Sequence, residues 1–286
     1  MRAYDGPIES EAYRGTSHEI WEAMAPGWER WRAQLEEALS PVRGWLVTQL
    51  APRPGDTVLE LSAGAGDTGF AAAAIVGERG RLISTDFAPE MVEVARRRGA
   101  ELGLRNVDYR VMDAERIELD AESVDGVLCQ SGYMLMADPA AALSETRRVL
   151  RPAGRAALSV WGAPERNPWG SIGGRILIER GQMSPPRIGA PGIFSMASEE
   201  RLGAMIVRAG FAAVRTDEVP VHFAFRDLVE YVSWLTEVGG PLGMVVRGLP
   251  EREREALSFA LTEAFAPFVA DGGYKLPGVA LGAVAS

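Results

Sequence analysis

The sequence predicts an α/β protein built on an open, largely parallel sheet with helices on both faces, and three observations carry that expectation. Short apolar runs alternate with helix-length segments through the first 165 residues, the pattern of strand–helix–strand units. The first run, Thr57-Val58-Leu59, is apolar on both faces like a central strand and ends in an acid, Glu60, followed by a turn of small residues, Ser62-Ala63-Gly64-Ala65-Gly66. Two later runs also end in acids, Asp86 and Asp113, and the carboxyl ends of parallel strands are where such sheets bind ligands.

Composition narrows the function. The chain has 286 residues with a formal net charge of −9, which argues against a polyanionic partner, because phosphate binding draws on a surplus of Lys and Arg. A single cysteine, Cys129, excludes an internal disulfide, and with two histidines it makes no structural zinc set, so no metal is expected. No charged-then-apolar leader and no membrane-length apolar run is visible, so a cytoplasmic protein is expected.

Taken in order, residues 1–15 are polar, and Thr16-Ser17-His18-Glu19 has capping-box spacing for a helix start. Trp21, Met24, Trp28, Trp31 and Leu35 recur at helical spacing, interrupted by Pro26-Gly27, so two short helices sharing an aromatic face are expected. That face either packs on the sheet or covers an apolar ligand. Ser40-Pro41 reads as the start of a third helix.

Beyond the glycine turn, Asp67–Val76 reads as a helix stopped by Gly77, and Arg81–Thr85 as a second strand ending at Asp86, with Phe87 beside it. A helix from Pro89 carries Met91, Val92 and Val94 inward. Val107–Met112 is a third strand leading to Asp113-Ala114, and Val124–Cys129 a fourth that opens into Gln130-Ser131-Gly132-Tyr133-Met134. Asp138-Pro139 caps the next helix, and Arg155–Trp161 is a fifth strand. Residues 162–197 read as an irregular insert carrying Phe194 and Met196, placed where substrate specificity would reside. Ser198 begins a helix, Val214–Phe225 is a sixth strand, helices start at Asp227 and at Pro250-Glu251, and Pro277–Ala285 is a last strand.

The stretch Gly64-Ala65-Gly66-Asp67-Thr68-Gly69 also satisfies the dinucleotide pattern GxGxxG, so the glycines alone do not choose the cofactor. Glu60 weighs in the choice. A carboxylate before the glycines opposes a pyrophosphate and suits a cationic amino-acid ligand such as a sulfonium. An NAD(P)-dependent oxidoreductase stays open as an alternative, with Asp86 in its dinucleotide role, as does a module that binds the cofactor without catalysis.

Glu60-Leu61-Ser62-Ala63-Gly64-Ala65-Gly66, Asp86 and Asp113-Ala114 together resemble the class I S-adenosylmethionine-dependent methyltransferases, in particular the small-molecule branch that includes the quinone-biosynthesis C-methyltransferases. Ser62 stands where that family has a glycine, and Arg148–Arg155 resembles its turn before the fifth strand. The resemblance implies a Rossmann-like, doubly wound, seven-stranded sheet whose last strand is antiparallel beside the fifth. It also implies one domain over 1–286, with an N-terminal helical lid (1–50), a cofactor-binding core (51–165), and a substrate-side insert, helical insertion and closing strands (166–286). The implied cofactor is S-adenosylmethionine, held by Glu60, Ser62, Ala63, Gly64, Gly66, Asp86, Phe87, Met91, Asp113, Ala114, Gln130 and Ser131, with Asp86 on the ribose hydroxyls and Asp113 on the adenine amino group. Trp21, Trp28, Tyr133, Met134, Trp161 and Phe194 are expected around a small, apolar or aromatic acceptor, and His18 is the candidate base for methylation at O, N or C. Nucleic acid and membrane insertion are not expected, and a homodimer is allowed.

Overall fold

The computed structural model describes residues 10–187, 189–270 and 272–286. Two helices come first, α1 (Ser10–Arg30) and α2 (Arg32–Leu50). The chain then alternates through β1 (Thr57–Glu60), α3 (Asp67–Val76), β2 (Arg81–Asp86), α4 (Pro89–Glu101), β3 (Val107–Val111), β4 (Val124–Gln130), α5 (Pro139–Val149) and β5 (Leu150–Trp161). Two helices, α6 (Pro168–Glu179) and α7 (Glu199–Arg208), lead to β6 (Val214–Phe225). Three more, α8 (Leu228–Val238), α9 (Gly240–Gly248) and α10 (Glu251–Phe265), precede β7 (Val269–Ala270) and β8 (Gly273–Ala285).

The strands form one sheet in the order β3-β2-β1-β4-β5-β8-β6, parallel from β3 to β5, with β8 antiparallel to both β5 and β6. This is the doubly wound, Rossmann-like arrangement. The order reverses between β1 and β4, which opens a crevice at their carboxyl ends. Burial follows position. Val58, Leu59 and Glu60 of the central β1 are all buried, whereas in the edge strand β6 only alternate residues, Val219, Val221, Phe223 and Phe225, are buried. The sheet has eight strands rather than seven, because the two-residue β7 folds back on the start of β8, pairing Val269 with Tyr274. Among the described residues no helix is long and apolar enough to cross a membrane.

The N-terminal helices depart most from expectation. Thr16–Glu19 lies inside α1 rather than capping it, and Pro26-Gly27 does not break the helix. The bonds Trp31 N–H to Gly27 C=O (2.9 Å) and Leu35 N–H to Trp31 C=O (3.0 Å) carry the helical ladder on toward α2. Pro41 likewise sits inside α2. A proline there cannot bond the Glu37 carbonyl, and the Ser40 hydroxyl donates to it instead at 3.0 Å. Tertiary contact gives Gly27 its purpose. An added Cβ would collide with the backbone carbonyl of Glu237, so glycine lets α1 lie directly on α8.

The insert 162–197 is more ordered than its glycines suggested, since α6 occupies its first half. Asn167, fully buried, ties the start of α6 to β8. Its Oδ1 accepts from the Val279 amide (2.9 Å) and the Trp169 indole (3.1 Å), while its Nδ2 donates to the carbonyls of Gly162 and Val279. Gly173 of α6 faces Leu235 and Tyr231 of α8, where a Cβ would lie 3.3 Å from each. Helix α9 is absent from the sequence expectation, and α10 starts at Glu251 as expected.

Gly27→Ala is expected to lower stability by about 1–3 kcal/mol by forcing α1 off α8. Urea unfolding measures it, and an unchanged midpoint would mean that the two helices are not in close contact in solution.

Candidate functional site

A cavity of about 260 Å³ opens at the reversal of strand order, bounded by the carboxyl ends of the parallel strands below and by α1, α2, α8 and α9 above. Its floor is the glycine turn. Ser62, Gly64 and Gly66 all have positive φ, at 53°, 54° and 86°, so the turn demands the left-handed region at the position where serine replaces glycine. Ser131, at the end of neighbouring β4, also has positive φ (59°). Such conformations cost a non-glycine residue about 1–2 kcal/mol each, and both strained serines line the cavity. The Ser62 side chain fills the space over Gly132, where an added Cβ would lie 2.6 Å from its Oγ and 2.7 Å from the Cys129 sulfur.

Behind the turn lies Glu60, 2% exposed. Its Oε1 accepts from the Gly69 amide (2.6 Å) and its Oε2 from the Ser84 hydroxyl (2.9 Å), which joins β1 to α3 and β2. Gly69 permits this approach, since a Cβ there would collide with the Glu60 carboxyl and lie 2.9 Å from Leu82. Desolvation pushes the Glu60 carboxyl up to about 8 against the opposing pull of those two donors, so it retains its proton at neutral pH. Glu60 lines the cavity, and its bonds to Gly69 and Ser84 brace the turn from behind.

Asp86 is also buried. Its Oδ2 accepts from the Gly64 amide (3.0 Å) and its Oδ1 from the Ala88 amide (3.1 Å), and burial raises its pKa against the pull of these and the Phe87 amide. Phe87 and Met91 stand beside it on the cavity wall. At the end of β3, Asp113 accepts from the Glu115 amide through Oδ1 (2.9 Å), next to Ala114. Across the crevice, Gln130 Oε1 accepts from the Thr68 hydroxyl at 2.9 Å. One cavity therefore collects Glu60, Ser62, Ala63, Gly64, Gly66, Asp86, Phe87, Met91, Asp113, Ala114, Gln130 and Ser131.

The same cavity continues into an aromatic compartment. Trp21 and Trp28 of α1 line it edge to face, with ring centroids 6.0 Å apart, and the Trp28 ring lies over Gly64. Met134 and Trp161 also line it. Trp169, Phe223 and Trp234 complete the far wall, with Trp169 4.6 Å from Trp161 and 4.4 Å from Phe223 between centroids. Sequence reasoning missed these last three. Phe223 was findable from the two-residue alternation of β6, but Trp169 and Trp234 lie on helices whose inner faces become defined only when α6 and α8 dock.

Three expected residues lie elsewhere. Tyr133 is fully buried in a 3₁₀ turn with its hydroxyl 2.6 Å from Thr146 Oγ1, so it anchors the turn to α5 while its neighbour Met134 faces the cavity. Phe194 packs beside Gly170 of α6 outside the cavity lining, whereas the adjacent Ile193, packed at the same glycine, lines the wall. His18 is rotated off the α1 face formed by Arg14, Ser17, Trp21 and Trp28, and packs edge-on against Phe87 with centroids 5.7 Å apart. That position does not suit a base acting in the cavity. Burial pushes the Cys129 thiol up to about 12, which keeps it protonated in the core.

Helix α1 is fastened along its length. Arg14 pairs with Glu115, and the Tyr13 hydroxyl donates to the Leu135 carbonyl (2.8 Å). Glu22 accepts from the Glu90 amide (3.0 Å), Glu29 pairs with Arg97 (2.9 Å), and Arg30 reaches Glu237 of α8 (3.0 Å).

Residues 52–168 match the family model described as a methyltransferase domain. An arsenite methyltransferase of Halobacterium salinarum is 34% identical over 167 residues, covering 55% of this chain and 39% of that protein. A demethylmenaquinone methyltransferase of Clavibacter sepedonicus is 28% identical over 134 residues, covering 47% and 48%. The chain thus spans less than half the length of either relative. The crystal structure of the YcgJ protein of Bacillus subtilis superposes with a TM-score of 0.60 at 21% identity, covering 85% of this chain and 96% of that one, which shows a shared fold. The match to a methyltransferase domain covers residues 52–168, and the chain resembles the class I S-adenosylmethionine-dependent methyltransferases, the quinone C-methyltransferases among them.

The folded protein holds a proton on Glu60 between about pH 4.5 and about 8 that the unfolded chain has released. This group's contribution to stability is therefore complete below about pH 4.5 and is lost as pH rises through about 8. Melting curves from pH 5 to 9 should show wild type losing its advantage over Glu60→Gln as pH rises. Parallel profiles for the two proteins would refute the buried-proton reading.

Proposed function

We propose that the protein transfers a methyl group from S-adenosylmethionine to a small, apolar, aromatic acceptor. The observation that carries this reading is the continuity of one cavity, from the turn with its two buried carboxyls to the compartment walled by Trp161, Trp169, Phe223 and Trp234. The relatives' names give arsenite and demethylmenaquinone as acceptors, so it is the aromatic wall that favours an apolar one.

The residues present fit this cofactor. Positive φ at Gly64 and Gly66 brings bare backbone to the cavity, and Gly69 lets α3 approach β1 closely. Asp86 holds the ribose hydroxyls through the lone pairs left after the Gly64 and Ala88 amides are bonded. Asp113 faces the adenine amino group with the oxygen that does not bond Glu115, and Phe87 and Met91 flank the ring. When bound, S-adenosylmethionine supplies an activated methyl on a sulfonium, which is already a good leaving group. The protein's own part is alignment and exclusion of water. Trp21 and Trp28 close over the turn, and the fastenings of α1 hold them there. Placing the reacting atoms in line contributes several kcal/mol without demanding a strong base.

S-Adenosylmethionine and S-adenosylhomocysteine at about a hundred times their Kd should each stabilise the protein by roughly 2.7 kcal/mol in a thermal-shift assay, with NAD and NADP inert. Stabilisation by a dinucleotide alone would replace this reading with an oxidoreductase. Asp86→Ala should weaken S-adenosylhomocysteine by about 1–3 kcal/mol in calorimetry. Undiminished affinity would remove Asp86 from the site. An acceptor panel in which only polar amines or sugars are methylated would overturn the aromatic acceptor.

A further inference from the structure

Near Asp67, just past the glycine turn, a charged stretch of the cavity wall comes from α2. Arg32, Glu36 and Arg43 line the cavity there beside Asp67 and Thr68, the first residues of α3. The spacing of Arg32, Glu36 and Arg43 places them along one helical face. Arg43 Nη1 lies 3.5 Å from Glu36 Oε1, and Arg98 Nε lies 3.9 Å from Asp67 Oδ1. Asp67 feels all of them. Burial raises the Asp67 pKa and Glu36 adds to the rise, while Arg32, Arg98 and Arg43 pull against it. The wall therefore presents guanidinium and carboxylate groups side by side, next to a compartment that is otherwise largely apolar.

Its position in the cavity gives this cluster a direction. Asp86 and Asp113 stand at the ends of β2 and β3, on one side of the glycine turn. Helix α2 packs on α3 and β4, the elements that carry the Thr68–Gln130 pair on the other side of the turn. A ligand whose ribose is at Asp86 and whose base is at Asp113 extends its remaining end toward α2. That end of S-adenosylmethionine is a zwitterion, which a wall carrying both guanidinium and carboxylate groups complements.

We propose that Arg32 and Arg43 hold the carboxylate, and Glu36 with Asp67 the ammonium, of the cofactor's amino-acid head. A surface of mixed sign matches a zwitterion, and a guanidinium offers paired donors to a carboxylate. The assignment rests on the cofactor reading above and adds to it the residues that recognise the end remote from the nucleoside.

Calorimetry with two ligands separates this assignment from the reading beneath it. S-Adenosylhomocysteine carries the amino-acid head, and 5′-methylthioadenosine lacks it while keeping the nucleoside and sulfur. Arg32→Ala should weaken S-adenosylhomocysteine about tenfold or more, the loss of one charge-assisted contact, and leave 5′-methylthioadenosine within about twofold. Arg43→Ala repeats the test should Arg32→Ala fold poorly, and retained 5′-methylthioadenosine binding reports an intact cavity in either variant. Equal weakening of both ligands, or unchanged S-adenosylhomocysteine affinity in both variants, overturns the assignment while leaving the cofactor reading in place. A wild-type protein that binds neither compound removes both.

Discussion

A buried carboxyl at the end of the central strand sets the geometry on which the cavity depends. Glu60 accepts one hydrogen bond from the first turn of α3 and another from β2, so a single side chain fixes the angle at which the chain leaves β1 and re-enters as a helix. Burying it is costly, and the carboxyl answers by keeping its proton. Around it, Gly69 yields the space and Ser62 and Gly64 adopt left-handed backbone. Ser62 shows what the constraint demands. A serine is held in a conformation that favours glycine, and its side chain packs into the hollow over Gly132.

The acceptor side is organised by a second buried polar group. Asn167 bonds both the amide and the carbonyl of Val279 and the indole of Trp169, so a strand of the antiparallel half positions the first turn of α6. Trp161 at the end of β5, Trp169 on α6, Phe223 on β6 and Trp234 on α8 then meet in one cluster. Four elements each contribute one ring to the wall. The antiparallel closure of the sheet is what brings β5 and β6 to either side of β8, near enough for those rings to touch.

The roof joins the two halves. Helix α1 crosses from the strand ends near Glu115 and Leu135 to α8 at Glu237, and the two tryptophans it carries reach down between these anchors. Glu237 accepts from Arg30 and from the Trp31 indole (3.1 Å), just where Gly27 brings the helices into contact. Each exposed ion pair contributes little alone. Spread along the helix, they define its register over the cavity more than they stabilise it.

The parallel half of the fold was legible because each signal there is local. A central strand reads as a continuous apolar run, glycines and prolines mark where helices stop and start, and an acid at a strand end falls in the crevice whatever the rest of the chain does. Asp86, Asp113 and the glycine turn could be placed on that basis. Local signals misled where neighbours overruled them. Pro26-Gly27 and Pro41 read as helix breaks, yet Ser40 satisfies the carbonyl that Pro41 cannot and α8 fills the space that Gly27 leaves. The sequence by itself determined the fold class, the order of the parallel strands' acids and the turn they surround, since these follow from backbone chemistry within a few residues. Only the tertiary structure decided which side chains face the cavity. That choice turned His18 and Tyr133 away and brought Trp169, Phe223, Trp234 and Arg32 in, because it depends on the rotation of each helix and the register of each strand against partners distant in sequence.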